Sequence, residues 1–524
     1  MTDALTPLIE SLRLIITNLR SQPWADAHLQ SLRRILFETE DRLSVFKKLR
    51  GWVAQAIMLL DARLRDIACH IIEAPRFKKL EASWRGLRSL VQQNPDEGTI
   101  RIRVLNVKWS ELSSDAQCSL DFEQSALFRR IYSEEYGMPG GIPFGLLVAD
   151  FEVNAQRVPG QPIDDVAVLD HVSQVGSAAF APLLIGISPK LFGLNYFGEA
   201  NLPLSSYFDN HDPVFHKWRA FQRSEASRFV GATLPRVLVR TPYREFETDF
   251  FASGELASNA TAILPSPRNT QDKTSANQQN KDSNHASLPG QNTSGQGYLW
   301  GNAVYPTALV VMRSFAETGW YQDITGVDKD TPRGGRMDGM VVDRFSLNGE
   351  SHFPKFSTDL LITDRDEMAL SRLGIIALCR CKWSEFTAIY NCPSLHLPIR
   401  YDSIVGTRNE EISSNLSLVL CVSRFAHYIK VMARDWIGSA LSMSEVQTRL
   451  NRWLAQYISP AAPADGDRYR YPLRAASIEL VDVPANPRSY ACRIRMQPHL
   501  YGVEAKVMTV FTEIPRAERK PVAA

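Results

Sequence analysis

The sequence predicts a mixed α/β fold in which sheets are flanked by helices. Two apolar strands, at residues 145–149 and 183–187, flank a segment that starts at Val166 and has a helical pattern. Apolar residues at helical spacing fill residues 4–72, and alternating apolar residues mark the C-terminal end. Because strand, helix and strand in succession are typical of a layered core, we expect such a core between a helical N-terminal region and C-terminal strands.

Length and composition indicate a multidomain globular protein. The chain has 524 residues, which corresponds to roughly two to four domains. Hydrophobic residues make up 44% and charged residues 22%, so the chain can bury a sizeable core without disulfides or metals. The formal net charge is +2, which gives no global reason to expect nucleic acid or an anionic membrane as a partner.

The N-terminus and the cysteines predict a reduced, cytoplasmic protein. The start of the chain, MTDALTPLIES, lacks the basic residues and apolar core of a signal peptide. The longest apolar stretch, residues 178–187, is far shorter than the ~20 residues of a membrane-spanning helix. The seven cysteines are scattered and odd in number, unlike a disulfide framework: Cys69, Cys118, Cys379, Cys381, Cys392, Cys421 and Cys492.

The N-terminal region is predicted to form amphipathic helices. A first pattern covers residues 5–19 and is interrupted at Pro23, and two more cover residues 29–49 and 53–71 before Pro75 ends the last. A helix with one apolar stripe needs a partner surface. From the pattern alone, packing within the chain is the favoured interpretation, and packing on a second polypeptide is the alternative.

Further elements follow along the chain. Residues 76–92 have a helical pattern, and TIRIRVLNV at 99–107 alternates as a strand does. Residues 298–320 and 423–438 are predicted helices, and Gly438 is the expected stop of the second.

Residues 253–297 differ in composition from the rest of the chain. They are rich in Ser, Asn, Gln, Thr and Gly, with almost no apolar residue after Leu264. Such a segment cannot bury enough surface to offset its ordering entropy. We therefore predict a flexible polar insertion on the surface.

The C-terminal residues alternate with period two. Tyr490, Cys492, Ile494 and Met496 share one face of a predicted strand, and residues 505–511 repeat the alternation. Strands this close to a terminus can pair within the chain or add to the sheet of a neighbour.

The glycines and prolines at 137–145 raise the question of a phosphate-binding loop. Phosphate loops run from a strand through glycines to a helix N-terminus. Here the predicted helix, residues 125–136, comes first and the strand last. The glycines then lie at a helix C-terminus, where the carbonyl groups repel phosphate. We interpret Gly137 as the helix stop and Pro139 as part of the turn.

A zinc site is the first chemical alternative. Cys379, Cys381, Cys392 and His396 are four ligand types within one segment. Their spacing is poor, because structural sites place two to four residues between paired cysteines. Reduced structural cysteines are the favoured interpretation, and no metal or cofactor is expected.

Catalytic side chains are not evident either. His427 lies among Arg424, Lys430 and Arg434, which suggests a histidine on a helix surface or an ionic contact more than a general base. The carboxylate pairs 134–135 and 410–411 are adjacent in sequence, so they point in different directions on a helix and are interpreted as solvated charges. We expect no enzyme.

Several segments together resemble one family, the large subunit of the type VI secretion contractile sheath (the TssC or VipB family). They occur in the family's order and span most of residues 76–511. The segments are KLEASWRGLRSLV (79–91), FEQSALFRRIYSEEYGMPGGIPFGLLVADF (122–151), APLLIGISPKLFG (181–193), WRAFQRSEASRFVGATLPRVLVRTPY (218–243), YLWGNAVY (298–305), ITDRDEMALSRLGIIAL (362–378), SRFAHYIKVMARDWIG (423–438) and LNRWLAQY (450–457).

The resemblance implies a structural role and a phage-tail-sheath-like core. A large and a small sheath subunit would form a heterodimer, and heterodimers would stack in six-fold rings around an inner tube, with C-terminal strands shared between protomers. Contraction would then drive the tube and spike out of a bacterial cell. The implied partners also include a baseplate, anchored at the membrane, and a Clp-class ATPase that disassembles the contracted sheath.

The resemblance also suggests partner-binding residues. The stripe Leu8, Ile9, Leu12, Ile15 and Ile16 would face the ATPase, although packing of this helix in every state is an equal alternative. Tyr490, Cys492, Ile494 and Met496 would mark the strand shared between protomers, and a proline at Ile494 should then prevent pairing. The insertion would lie on the outer sheath surface.

The sequence predicts five regions along the chain. They are an N-terminal helical region, a first part of the core, the polar insertion, a second part of the core and the C-terminal strands, at 1–75, 76–252, 253–297, 298–460 and 461–524. The rival hypotheses are a sheath subunit of a related contractile injection particle or phage-like tail, and an α/β metabolic enzyme.

Overall fold

The structure is a computed structural model of the whole chain. It describes residues 30, 42–95, 98–155, 164–200, 203–207, 215–242, 298–321, 323–327, 333–347, 350–354, 357–381, 384–436, 441–460, 470–482, 489–499 and 508–515. The polar insertion at 253–297 and the N-terminal stripe that begins at Leu8 lie outside these residues, so both remain predictions.

The chain divides into two compact units. One combines residues 1–78 with 242–291, and the other combines residues 79–241 with 292–524. The helices are α1 (Arg42–Glu73), α2 (Pro75–Gln92), α3 (Trp109–Cys118), α4 (Ala126–Phe128), α5 (Asp165–Ala178), α6 (His216–Gln222), α7 (Val304–Thr318), α8 (Asp364–Arg372), α9 (Ile404–Ser413), α10 (Leu416–Asp435) and α11 (Met443–Ala455). A π-helix (Arg129–Tyr136) continues α4, and 3-10 turns cover Phe122–Gln124, Pro189–Phe192, Phe197–Glu199, Leu204–Tyr207 and Ala226–Phe229.

The strands form one large sheet and three small ones. They are β1 (Leu147–Val153), β2 (Leu183–Ile187), β3 (Val230–Leu234), β4 (Val237–Arg240), β5 (Leu299–Gly301), β6 (Arg336–Met337), β7 (Arg344–Leu347), β8 (Glu350–Pro354), β9 (Ile375–Arg380), β10 (Thr387–Ile389), β11 (Leu473–Asp482), β12 (Ser489–Pro498) and β13 (Met508–Pro515). The large sheet has the order β1-β2-β3-β9-β10-β6. Its first four strands are parallel and its last two antiparallel.

The large sheet is buried on both faces. Along β9, Ile375 and Ala377 belong to one hydrophobic core, and Ile376 and Leu378 belong to another. Because successive side chains of a strand point to opposite faces, the sheet lies between two apolar layers. This arrangement explains why the central strands β2 and β9 are nearly continuous apolar runs, and it confirms the predicted α/β fold class.

The predicted strand–helix–strand unit is confirmed. β1 and β2 are parallel neighbours, with Leu147 opposite Leu183, and α5 connects them. The Asp164 carboxylate caps α5 by accepting the Ala167 N–H at 3.0 Å. Val168, Leu169 and Val175 of this helix are fully buried, so its apolar stripe packs on the sheet as an amphipathic pattern predicts.

The glycine-rich stretch after residue 136 follows a helix C-terminus, as predicted. The π-helix precedes it and β1 follows it. Gly140 is the residue with a left-handed backbone, at φ +82°, and a Cβ atom on Gly141 would lie 2.2 Å from the Glu135 carbonyl oxygen. The glycines thus serve a tight turn, and the phosphate-loop alternative is wrong.

The C-terminal part has a core of its own. α10 and α11 pack with the sheet β11-β12-β13 around Phe425, Ile429 and Leu450, which are fully buried. α10 has the length and apolarity of a membrane-spanning helix among the described residues, but most of it is buried in this core. We interpret it as the central helix of a globular layer.

Some predicted elements differ from the structure. Residues 100–107 form neither a helix nor a strand, so the strand predicted at 99–107 is wrong. The helix predicted from residue 298 begins at Val304, because residues 299–301 form β5 and pair with β4. The helix predicted from residue 423 begins earlier, at Leu416, where the Asn415 side chain caps it.

Candidate assembly interface

The predicted inter-protomer strand lies in the middle of the C-terminal sheet. Tyr490, Cys492, Ile494 and Met496 all belong to β12, and each side chain is at most 2% exposed. β12 pairs with β11 on one side and with β13 on the other, both antiparallel. The four side chains pack in the core formed with α10 and α11. Pairing with another chain would therefore have to use an outer edge of this sheet.

Side-chain amides from α11 occupy the outer edge of β11. Asn451 Nδ2 donates to the Ile478 carbonyl oxygen at 2.9 Å, and Asn451 Oδ1 accepts the Ile478 N–H at 2.9 Å. The Leu480 N–H donates to Gln447 Oε1 at 3.2 Å. These two amides take the positions of an adjacent strand, so the edge is closed over its central residues.

The sheet ladder also shows how the outer edge of β13 is oriented. The Ile478 N–H and C=O point away from β12, so Ile478 and Ile494 form a non-hydrogen-bonded pair of the antiparallel ladder. The N–H and C=O of Ile494 therefore point to β13, where Ile494 and Val510 form a hydrogen-bonded pair. Alternation then directs the backbone groups of Thr509 and Phe511 away from β12. In the part of the chain that the structure describes, no strand pairs with this outer edge.

α1 carries an exposed apolar stripe. Its six residues are 37–57% exposed and follow the spacing 4, 3, 4, 3, 4: Val53, Ile57, Leu60, Leu64, Ile67 and Ile71. This spacing is the alternation of the core positions of a coiled coil, which present one continuous seam to a partner helix. A seam of this length is unusual on a surface without a partner. The predicted ATPase-facing residues of the N-terminal helix, from Leu8 to Ile16, lie outside the described residues.

His427 is a buried residue, so its predicted place on a helix surface is wrong. Its Nε2 donates to the Ala179 carbonyl oxygen at 2.9 Å. Burial is the main cause that lowers the pKa of His427 to about 4. The imidazole is thus neutral at pH 7 and joins α10 to the end of α5.

Two further residues on the same side of α10 contact the π-helix. Lys430 Nζ lies 3.7 Å from the centre of the Tyr136 ring and donates to the Tyr132 hydroxyl at 3.0 Å. Arg434 donates to the carbonyl oxygens of Met138, at 2.8 Å, and of Tyr136. Arg434 thus satisfies carbonyl groups at a helix C-terminus, where the positive charge of both residues is favourable.

Ser227, His396 and Glu410 form a group that the sequence does not reveal. Ser227 Oγ lies 3.1 Å from His396 Nδ1, and His396 Nε2 lies 3.1 Å from Glu410 Oε1. Residues 227 and 396 are 169 positions apart, and no local motif surrounds either of them. Hydrolytic triads use the same residue types, so the geometry decides what this group can do.

The geometry of this group favours a structural tie. In a hydrolytic triad the serine contacts Nε2 and the acid contacts Nδ1, the reverse of the order here. Ser227 and His396 are 0% and 1% exposed, and Ser227 Oγ donates to the Ser224 carbonyl oxygen at 2.6 Å. Arg228 pairs with Glu410 and lies 2.7 Å from Glu225, whose pKa it holds below the ordinary value. Glu410 is therefore not the solvated charge that its sequence position suggests.

The cysteines proposed as zinc ligands do not meet in one place. Among the described residues, no three His, Cys, Asp or Glu side chains are arranged to hold a metal ion. Burial raises the pKa of Cys379 and of Cys392 to about 12, so both thiols are protonated. Cys381 instead lies 3.7 Å from the Tyr390 hydroxyl. His396 belongs to the group with Ser227.

Comparison with known proteins identifies the family of this chain. A family profile for the EvpB/VC_A0108 tail sheath N-terminal domain matches residues 54–258 and 266–396, and a profile for the tail sheath gpW/gp25-like domain matches residues 406–513. The type VI secretion system sheath protein TssC1 of Pseudomonas aeruginosa is 29% identical over 476 residues, which cover 89% of this chain and 86% of that protein. The chain therefore belongs to the VipB family of tail sheath proteins, and it is a structural subunit of a type VI secretion contractile sheath.

Proposed function

We propose that this chain is the large subunit of a sheath heterodimer that polymerises in six-fold rings around an inner tube. The small sheath subunit is its first partner, and neighbouring protomers, the tube protein and a membrane-anchored baseplate are the others. Contraction of the polymer, on the cytoplasmic side, drives the tube and spike out of the cell. The chain acts through backbone edges and complementary faces, without a reaction centre.

The outer edge of β13, with which no described strand pairs, is the observation that carries this proposal. A strand of another protomer can add there through a row of backbone hydrogen bonds. Such bonds depend little on side-chain identity, so they hold protomers together while their faces move past each other. This reading shifts the shared edge from β12, which contains Ile494, to β13.

The apolar seam of α1 supports the proposal that this chain forms a heterodimer. Its apolar residues, from Val53 to Ile71, fit a partner helix with the same seven-residue repeat. Full burial of one such aliphatic side chain stabilises a complex by about 1.5–3 kcal/mol. Six of them would supply a tight, constitutive interface, as a subunit that never works alone requires.

Two rival functions are less well supported. A metabolic enzyme would need an accessible reaction centre, whereas Ser227 and His396 are buried and their order is reversed. A phage-like tail would also use a sheath fold, but the relative that covers 89% of this chain is named a type VI secretion protein. Recycling by a Clp-class ATPase through Leu8, Ile9, Leu12, Ile15 and Ile16 remains a prediction from the resemblance.

A proline in β13 tests the proposed edge. Thr509→Pro removes an outward N–H and leaves the ladder to β12 intact, since prolines are tolerated on edge strands. The chain is co-expressed with the small subunit and imaged by negative stain. We expect soluble heterodimers without long tubes, while Thr509→Val, which keeps the N–H, should form normal tubes.

One result of this experiment would contradict the proposed edge. Abundant normal tubes from Thr509→Pro would refute the role of this edge. A proline at Ile494 is a poorer test, because its N–H points to β13 within the same chain. That variant would disrupt the sheet itself and would not report on assembly alone.

A further inference from the structure

A groove in the larger unit is not used by the strand edge or by the α1 seam. It lies between α2, α7, β4 and residues 336–341, and its volume is about 580 Å³. That size is within the ~300–1,000 Å³ typical of binding sites in proteins. The floor is aliphatic and includes Val239, Leu309 and Met340.

The charged residues of the groove are mostly positive. Four arginines line it, Arg85, Arg88, Arg313 and Arg336, against the single carboxylate of Asp338. Arg336 pairs with Asp338 at 2.9 Å. Arg85 pairs at 2.8 Å with a glutamate of its own helix, and Arg88 forms no ion pair with any residue that the structure describes.

Arg313 is the residue that points to a ligand. It lies on α7, half-buried, and donates to the Gly334 carbonyl oxygen at 2.6 Å. Within the described residues no carboxylate lies at ion-pair distance from it. Burial lowers its pKa, against a smaller opposing effect of the more distant carboxylates of Glu317, Asp338 and Asp323. A partly desolvated cation that no carboxylate contacts directly is costly, and an incoming carboxylate would offset that cost.

We propose that this groove binds an acidic segment of another polypeptide in the assembled machine, one that also carries an apolar side chain. Its carboxylates would reach Arg88 and Arg313, and the apolar side chain would cover the floor beside Met340. A small anion such as phosphate would satisfy the arginines but leave the aliphatic floor exposed to water. The inference is independent of strand addition at β13.

Site-specific cross-linking tests this proposal. The photoreactive residue p-benzoylphenylalanine is placed at Val341, which lines the groove and is 38% exposed, and cells that express the native set of secretion proteins are irradiated. We expect a cross-link to one segment rich in Asp or Glu, mapped by mass spectrometry. Because the cross-link is read in cells before any sheath is isolated, a failure to form tubes does not remove the readout.

Charge variants decide whether the arginines matter. Arg88→Glu is on the surface and should leave the fold intact, yet it should lower the cross-link yield by about tenfold. Arg313→Met should lower it similarly. Arg365→Glu, at an exposed position on α8 outside the groove, is the matched control and should not change the yield.

Three outcomes would overturn the proposal. The first is a cross-link to this same polypeptide, which would mean that the groove is filled internally. The second is a cross-link to a segment without acidic residues, or a yield that Arg88→Glu leaves unchanged. The third is thermal stabilisation of the purified complex by inorganic phosphate that Arg88→Glu abolishes, which would assign the groove to a small anion.

Discussion

His427 shows how a single buried side chain couples the fold to pH. Its Nε2 donates to the Ala179 carbonyl oxygen, and burial lowers its pKa to about 4 from an ordinary 6.5. In the unfolded chain the imidazole binds a proton below about pH 6.5. Between these two values the unfolded state binds more protons than the folded state, so the free energy of unfolding falls as the pH falls.

We expect His427→Gln to weaken this pH dependence. The histidine's contribution is fully present above pH 6.5 and is lost as the pH drops towards 4, with a total on the order of 3 kcal/mol. Denaturant unfolding of the co-expressed complex at a series of pH values measures it. Glutamine keeps a donor for the Ala179 carbonyl but cannot titrate, so the variant should show the flatter profile.

The matched control is His216→Gln, at an exposed position on α6. It should reproduce the wild-type profile. Equal slopes for the wild type and for His427→Gln between pH 6.5 and 4 would show that His427 does not control this stability.

The sequence could not reveal the role of residues such as His427 and Glu410. Both have charged neighbours in sequence, which is typical of a solvated helix face. Their partners, Ala179 and Arg228, lie 248 and 182 positions away. Burial that depends on such distant contacts leaves no local periodic signal. Apolar strands such as residues 183–187 do carry one, and those were predicted correctly.

At the scale of elements, α1 exposes an apolar seam that a partner helix could cover. Its exposed seam is continuous from Val53 to Ile71. The sequence predicted apolar stripes here, but their interpretation as internal packing or as an interface stayed open. The exposed side chains favour the interface, because none of the described residues covers them.

We expect Ile57→Glu combined with Leu64→Glu to separate the chain from the small subunit. Two carboxylates in an apolar seam remove aliphatic burial and would have to be desolvated, so affinity should fall by at least roughly a hundredfold. Co-purification from cells that express both subunits measures the loss. Wild-type recovery of the small subunit with this variant would contradict the seam.

The same helix provides the control for this experiment. Gln55 and Ala62 are exposed on the side of α1 opposite the seam. Changing both to glutamate adds the same two carboxylates without touching the stripe. This control should retain the small subunit.

The strand that was wrongly predicted and the strand that was not predicted both have physical causes. Residues 99–107 alternate as a strand would, but Val104 and Leu105 are both more than half exposed, and the segment crosses the surface without a ladder. Alternation reports a preference for extended backbone and does not report a neighbour. β11 is the opposite case. Its alternation is weak, so it was not predicted, yet it forms a strand because it pairs with β12.

At the scale of the whole molecule, family resemblance predicted more than local patterns did. Eight dispersed segments identified the sheath family, and matches over residues 54–258, 266–396 and 406–513 confirm it. Local patterns gave the fold class and the main helices. They could not give Asn451 and Gln447, because polar residues on an amphipathic helix are usually solvated and nothing in sequence marks a role at a strand edge.

Deletion of residues 260–290 tests the predicted place of the polar insertion. The segment has almost no apolar residues, and we expect it to lie on the outer face of the sheath, away from the tube. The shortened chain should therefore still form tubes with the small subunit, as seen by negative stain. Replacement of the same residues by a Gly/Ser linker of equal length is the control for loop closure, and failure of both variants to polymerise would contradict an outer position.

The amides of Asn451 and Gln447 have a consequence for how far such a polymer can grow in each direction. With the edge of β11 closed, the proposed strand addition can use only β13 among the described strands of the C-terminal sheet. A sheet that can add a strand at one edge alone cannot extend from both edges into a continuous intermolecular sheet.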